Sequence, residues 1–185
     1  EGAVNDMDIR MKYLDRANKG VERLVAVIKD LDMIAKLETE GMKLNKEVFN
    51  ILELIQNVFD LFEMKAKKRS ISLKFDKVYE FPVFVNGDVE KIEQVLINLV
   101  VNSIKYGKPN GTTIVGVEDY SSDKFILKVI DDGEGVKQEH LARLFERFYR
   151  VDQSRSREQG GSGLGLSIVK HIIEAHNETI LLKSS

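Results

Sequence analysis

The sequence contains no cysteine, so disulfide crosslinks, thiolate metal sites and a cysteine nucleophile are all excluded. That absence fits a reducing compartment, and the cytoplasm is the expected location. Only two prolines occur in 185 residues, which leaves long helices unhindered and argues against a proline-rich linker. Neither sign of charge is in excess: 28 Lys and Arg face 30 Asp and Glu, a formal net charge of −2. Without a global basic field nothing draws the chain toward nucleic acid or anionic lipid, and any polyanion has to be held by a local arrangement. No apolar run approaches the ~20 residues of a membrane helix, and residues 1–15 lack the basic-then-apolar order of a secretory signal. No nucleic acid and no direct membrane contact are therefore expected. What the chain does have is 43% hydrophobic residues, over a length suited to one cored domain plus an appended element.

The appended element comes first. Leu14, Ala17, Val21, Leu24, Ile28, Leu31 and Ala35 advance in steps of three and four, the a/d spacing of a helix that packs against other helices. Most charged residues lie off this seam, so a helix of about thirty residues hides one stripe, keeps its other sides wet and needs partners. The regularity favours a bundle or dimer helix over one lying on its own domain. Glu38 to Gly41 break the pattern, and a hinge is expected over residues 38–46. Beyond it, Val48, Ile51, Leu52, Ile55, Val58, Phe59 and Phe62 predict a helix over Asn45–Arg69, followed by a strand over Ile71–Phe75. A short strand at Val83–Val85, a turn at Asn86-Gly87 and an Asp88 cap lead into a helix over Val89–Tyr106. Strands over Thr113–Glu118 and Lys124–Ile130, helices over Gln138–Phe148 and Leu164–His176, and a last strand over Thr179–Lys183 complete the order. Interleaved helices and strands imply an α/β two-layer sandwich, a mixed sheet with helices on one face, preceded by a long amphipathic helix. The expected division is residues 1–42 and 43–185.

Four segments of the second part carry chemistry. On the helix ending at Tyr106, Asn98, Asn102 and Lys105 fall at i, i+4 and i+7, two amides and an ammonium on one face of an otherwise apolar helix. A lone buried Asn is ordinarily satisfied core, but an unpartnered buried amide costs roughly 1–3 kcal/mol, and two beside a lysine point to a ligand. An amide oxygen suits Mg²⁺, which keeps waters and phosphates for its remaining positions. Next, a buried-looking strand ends in Asp131, Asp132, Gly133, Glu134 and Gly135. A D-D-G run is often just a turn, and the oxygen spacing of a calcium loop is missing. A carboxylate fixed at a strand end accepts a hydrogen bond from the amine of adenine, which guanine cannot donate there. The third segment, Leu144 to Arg150, places Phe145 and Phe148 in a basic setting and runs into Ser154 to Arg157, the pattern of a mobile lid anchored by aromatics. The fourth, Gly160, Gly161, Ser162, Gly163, Leu164 and Gly165, opens directly into a helix, where free N–H groups and the positive helix end hold anions. Neither a Walker loop nor a dinucleotide fingerprint matches it.

Taken in order, these four segments resemble the N, G1, F and G2 boxes of the sensor histidine kinases of two-component systems, within the wider gyrase, Hsp90, histidine kinase and MutL (GHKL) ATPase superfamily. The stretch from Val21 to Leu44, with Arg23-Leu24 and Lys36-Leu37-Glu38, resembles the second helix of that family's dimerisation and phosphotransfer hairpin. The resemblance implies an ATP-binding catalytic domain over residues 43–185 using ATP and Mg²⁺. It implies Asn102 as metal ligand with Asn98 assisting, Lys105 and Arg150 at the phosphates, Tyr106 beside the nucleotide and Asp131 reading adenine. Gly133 and Gly135 shape the base pocket, and Gly161, Gly163, Leu164 and Gly165 lie on the phosphate side. Homodimerisation through the N-terminal helix and a response-regulator receiver domain as partner follow from the same likeness, as does a cytoplasmic position, whether or not a membrane-bound sensor lies upstream.

Two departures accompany it. The family's acceptor histidine lies on the first hairpin helix with an acidic residue after it, and none of His140, His171 and His176 has that context. The family also continues past the last strand through a further one, where this sequence stops at Ser185. Two rivals remain. A hydrolytic ATPase of the superfamily carries a water-activating Glu four residues before the metal Asn, a position held here by Asn98. An ATP-sensing adaptor would bind nucleotide without transferring phosphate.

Overall fold

The computed structural model describes residues 7–39, 43–121, 124–151 and 162–184. Helix α1 (Met7–Thr39) runs without a break through the seam. Its chain offers that seam little cover: Leu14, Val21, Leu24 and Ile28 are each more than half exposed, and among the described side chains of this helix Val27 alone packs onto a core cluster. Glu38 and Thr39, placed in the hinge by the sequence, are still helical, and Gly41 lies outside the described residues. No helix among the described residues is long and apolar enough to cross a membrane.

The segment expected as one helix from Asn45 divides into strand β1 (Glu47–Asn50) and helix α2 (Ile51–Lys68). Asn50 sets the boundary. Its extended backbone and its side chain, which accepts the Leu52 N–H at 3.2 Å, make it the N-cap, while Lys65, Lys67 and Lys68 suit the negative end of the helix. Val48, which fits a helical stripe, instead stands 69% exposed on β1. Strand β2 (Ser72–Phe75) follows, then β3 (Phe84–Gly87). The expected turn at Asn86-Gly87 is strand as well, because Asn86 and Gly87 pair with Val48 and Glu47 of β1.

Asp88 explains why α3 (Val89–Tyr106) begins where it does. Its carboxylate accepts the Lys91 N–H at 3.1 Å and, through its other oxygen, the Asn45 N–H at 3.0 Å. Its own N–H donates to His176 Nε2 at 3.1 Å, and His176 Nδ1 lies 2.8 Å from the Ile172 carbonyl. A neutral imidazole that donates from Nδ1 and accepts at Nε2 satisfies both bonds. The start of α3, the end of α5 (Gly165–Ala175) and the connector after α1 thus meet at one buried residue, Asp88.

Strands β4 (Thr112–Ser121) and β5 (Lys124–Asp131) outrun their expected limits. With β2 parallel and β5 antiparallel to β4, the three-stranded sheet is mixed, in the order β2-β4-β5. Ile51, Ile55 and Val58 of α2, Leu96, Val100 and Ile104 of α3 and Val115 of β4 make the main core. Val95, on the other flank of α3, joins Leu164, Ile168, Val169 and Ile172 in a second cluster. Two expected elements are corrected. The helix from Gln138 stops at Leu141 (α4): the chain goes on in three-residue turns, Arg143 N–H to the His140 carbonyl and Glu146 N–H to the Arg143 carbonyl, and at Phe148 reaches a φ of +61°, which a helix cannot contain. Residues 179–183 form no strand: a strand needs a ladder, and among the described residues none pairs with this stretch, whose flanks are held by a Val136 N–H to Ser184 hydroxyl bond and a Lys124–Glu178 ion pair.

Candidate functional site

Helix α3 stands between the two cores, and Val95, Asn98 and Asn102 succeed one another along the flank that meets α5. Capping at Asp88 sets where the helix begins, and burial of Leu96, Val100 and Ile104 turns its apolar side to the main core. Asn98 donates from Nδ2 to the Gln94 carbonyl at 3.0 Å, which turns its Oδ1 toward α5. There Gly165, the first residue of α5, comes so close that a Cβ would lie 2.9 Å from Asn98 Oδ1. The amide face of α3 and the glycine-rich start of α5 are therefore in contact. Asn102, one turn further and half-buried, has no hydrogen-bond partner for its amide among the described residues.

The end of α3 carries the other half of the site. Lys105 Nζ sits 4.8 Å from the centre of the Tyr106 ring, itself 51% exposed, and the Lys105 carbonyl accepts from Arg69 at 2.6 Å. Gly133 packs so tightly on this helix end that a Cβ there would be 2.8 Å from the Tyr106 carbonyl oxygen. The Gly133 N–H donates to Asp131 Oδ1 at 2.9 Å, so the carboxylate is turned by the backbone just after it. Asp131 Oδ2 has no partner among the described residues. The strand expected to be buried proves to be an edge, with Ile130 and Asp131 exposed, which opens the acid to a ligand. Asp132 serves the fold, accepting the Thr112 N–H at 2.9 Å, and Gly135 has a left-handed φ of +74°.

The loop between the third and fourth segments is closed at its base. Phe148 N–H donates to the Gly163 carbonyl at 3.0 Å, Gly163 has a φ of +75°, and a Cβ there would strike the Phe148 backbone at 2.9 Å. Phe148 itself is exposed. The aromatic that anchors this base is Tyr149, whose hydroxyl pairs with His140 Nδ1 at 2.6 Å while Arg143 lies 4.2 Å from its ring centre. Arg143 is in turn held by both carboxylate oxygens of Glu146, which keeps its guanidinium pKa above the ordinary value. Arg150 lies half-buried just beyond, and Gly161 falls outside the described residues. Leu164 is fully buried, and its N–H is engaged by the Ser162 hydroxyl at 3.2 Å. Among the described residues no side chain caps the first turn of α5, whose N–H groups are thus donors for an anion.

Two features lay beyond sequence reasoning. The His140–Tyr149–Arg143 cluster has no local spacing signal. Ser103 and Thr113, both buried, share a 2.5 Å hydroxyl–hydroxyl bond across the α3–β4 interface. Only a buried-looking Ser inside an apolar helix could have hinted at the second.

Known proteins are similar to this chain in sequence and in fold. The sensor protein kinase WalK of Staphylococcus aureus is 31% identical over 185 residues, all of this chain and 44% of WalK's length. The chain thus spans less than half of the curated relatives it matches, and 30% of the WalK sequences from further strains. Among solved structures, the Acinetobacter baumannii histidine kinase AdeS superposes with a TM-score of 0.70 at 29% identity, over 92% of this chain and 74% of that one. The histidine kinase ThkA, solved in complex with the response regulator protein TrrA, does so with a TM-score of 0.72 at 31% identity, over 94% and 46%. The profile of the histidine kinase-, DNA gyrase B-, and HSP90-like ATPases matches residues 87–185, from the cap of α3 to the end of the chain. With more than half its length inside that match, this chain belongs to the family of histidine kinase-, DNA gyrase B-, and HSP90-like ATPases.

Proposed function

We propose that the chain is the catalytic portion of a two-component sensor histidine kinase, which binds Mg-ATP and passes the γ-phosphoryl to a histidine outside these 185 residues, for relay to an aspartate of a response-regulator receiver domain. The observation that carries this reading is the Asn98–Gly165 contact, which joins the amide face of α3 to the uncapped start of α5. Residues 43–185 act as the nucleotide-binding unit in the cytoplasm, and residues 1–42 supply the dimer helix.

Asp131 offers its outward oxygen to the adenine amine, and Gly133 lets the base lie flat against the end of α3. The free amides of α5, together with Lys105 and Arg150, meet the phosphates. Lys105 leaves the Tyr106 ring to do so, a cation–π contact worth about 0.5–1 kcal/mol at an exposed site and easily exchanged for a phosphate. The Asn102 amide, unpartnered among the described residues, is the hard oxygen donor that would hold Mg²⁺, with Asn98 alongside. The ion supplies neutralising charge on the phosphate oxygens. Phosphoryl transfer asks little covalent work of the protein, so the residues contribute alignment, charge and exclusion of water.

WalK is named as a sensor kinase and ThkA is a histidine kinase solved with a response regulator, which supports transfer over plain hydrolysis. So does Asn98, which stands where the hydrolytic enzymes carry their water-activating Glu. The test incubates the chain with Mg-ATP and a separately made acceptor hairpin. Acid-labile, base-stable phosphate on the hairpin histidine is expected. Steady release of inorganic phosphate without it would assign a hydrolase, and binding alone an adaptor.

A further inference from the structure

The buried Ser103–Thr113 bond is not used by the mechanism above, yet it lies between that mechanism's two halves. Ser103 follows Asn102 on α3 and precedes Lys105 by two residues. Thr113 stands in register opposite Asp131 across β4 and β5. Directly opposed residues of an antiparallel pair share a face of the sheet, so Thr113 and Asp131 project to the same side. Ser103 is 2% exposed and Thr113 fully buried, with 2.5 Å between their hydroxyls. Around them the α3–β4 packing is apolar, through Val100, Ile104 and Val115. Such packing is non-directional and lets a helix slide or rotate slightly on a strand. A hydroxyl pair is directional and is satisfied in one register only.

We propose that the Ser103–Thr113 pair is a positioning element that sets the distance between the phosphate-binding face of α3 and the adenine-reading acid of β5, so that both ends of one nucleotide are held together. The proposal rests on the nucleotide reading of the site. A ligand that engages two subsites gains affinity from their spacing, and that gain disappears when the spacing is lost even though each subsite is intact.

The test uses the full chain and four variants: Ser103→Ala, Thr113→Val, the two combined, and Thr113→Ser. Either single deletion strands a buried hydroxyl, whereas the combined variant leaves none, so its urea midpoint returns toward that of the unaltered chain. Affinities are measured for ATP, for adenosine and for inorganic tripolyphosphate, each with Mg²⁺. The combined variant is expected to bind ATP about tenfold more weakly while adenosine and tripolyphosphate bind as before. Thr113→Ser, which keeps a hydroxyl, should keep ATP affinity. Unaltered ATP affinity in the combined variant would overturn the proposal, as would ATP affinity that follows the urea midpoint through the series, or an equal loss for adenosine alone. If the unaltered chain binds none of the three ligands, the nucleotide reading itself fails, and the positioning role with it.

Discussion

Asp131 uses one carboxylate oxygen to hold the Gly133 N–H and leaves the other to the solvent at the edge of the sheet. Replacing it with Asn keeps the first bond, since an amide oxygen accepts as well, but turns an NH₂ toward the adenine amine. Donor then faces donor. Asp131→Asn is expected to lower ATP affinity about tenfold or more while leaving the unfolding midpoint in place, as a binding titration beside a urea melt can check. Gly165→Ala makes a second case. Its methyl would come within 2.9 Å of Asn98 Oδ1, which is held by the bond to Gln94, so the amide has to swing away. Alanine's better helix propensity, worth up to ~1 kcal/mol, offsets the crowding in stability but not in the site. A several-fold loss of ATP affinity with little change in melting temperature is expected, and unchanged affinity would remove Asn98 from the site. At this scale the sequence showed what local spacing can encode. The i, i+4 amides of α3 and the Asp131-x-Gly133 step were legible, because each is set by one element. The Ser103–Thr113 and His140–Tyr149 pairs were not, because their partners meet only through packing.

At the scale of elements, α3 was legible from end to end. Helix α3 carries its Asp88 cap and its apolar stripe within twenty residues, and it runs over Val89–Tyr106 as expected. Strand β1 was missed because Val48 satisfies a helical period equally well, and its pairing with Asn86 is not local. The stretch at 179–183 was misread for the converse reason: alternation allows a strand, but a ladder has to be supplied by a neighbour. Tyr79 illustrates how such non-local bracing can be measured. Its hydroxyl accepts the Val117 N–H at 2.6 Å and donates to Asp76 at 2.7 Å, tying the loop after β2 onto β4. Burial raises its pKa above the ordinary 10.0, opposed by the Val117 bond and reinforced by Asp76. The folded chain therefore favours the protonated phenol. This contribution is fully present below the ordinary value and is lost as pH rises through the raised one. Urea midpoints at about pH 9 and about pH 11 should fall further in the unaltered chain than in Tyr79→Phe, which has nothing to ionise. Equal falls would mean that the phenol is not preferentially held.

Over the whole molecule, the uneven partnering of α1 is the feature that the body does not account for. The body is internally satisfied: two core clusters share α3, and no fully buried side-chain polar atom among the described residues lacks a partner. Helix α1 presents Leu14, Val21, Leu24 and Ile28 at heptad spacing and more than half exposed, while Val27 touches the second cluster. A stripe of that regularity left in water is a cost to the monomer and matches the seam of a second copy. Beyond it, Asn45 is pinned to the body by its bond to Asp88, so a dimer formed along α1 would carry each body from that point of attachment. Replacing Leu24 and Ile28 with Glu puts two charges into each facing helix of such a seam, where opposed like charges repel and cannot be desolvated. Sedimentation should show a dimer for the unaltered chain and a monomer for Leu24→Glu/Ile28→Glu. ATP affinity should be the same for both, because both side chains are exposed on α1 and neither belongs to the proposed nucleotide site. A double variant that remains dimeric would place the interface elsewhere. One that loses ATP binding along with its partner would show instead that the site is completed across the dimer.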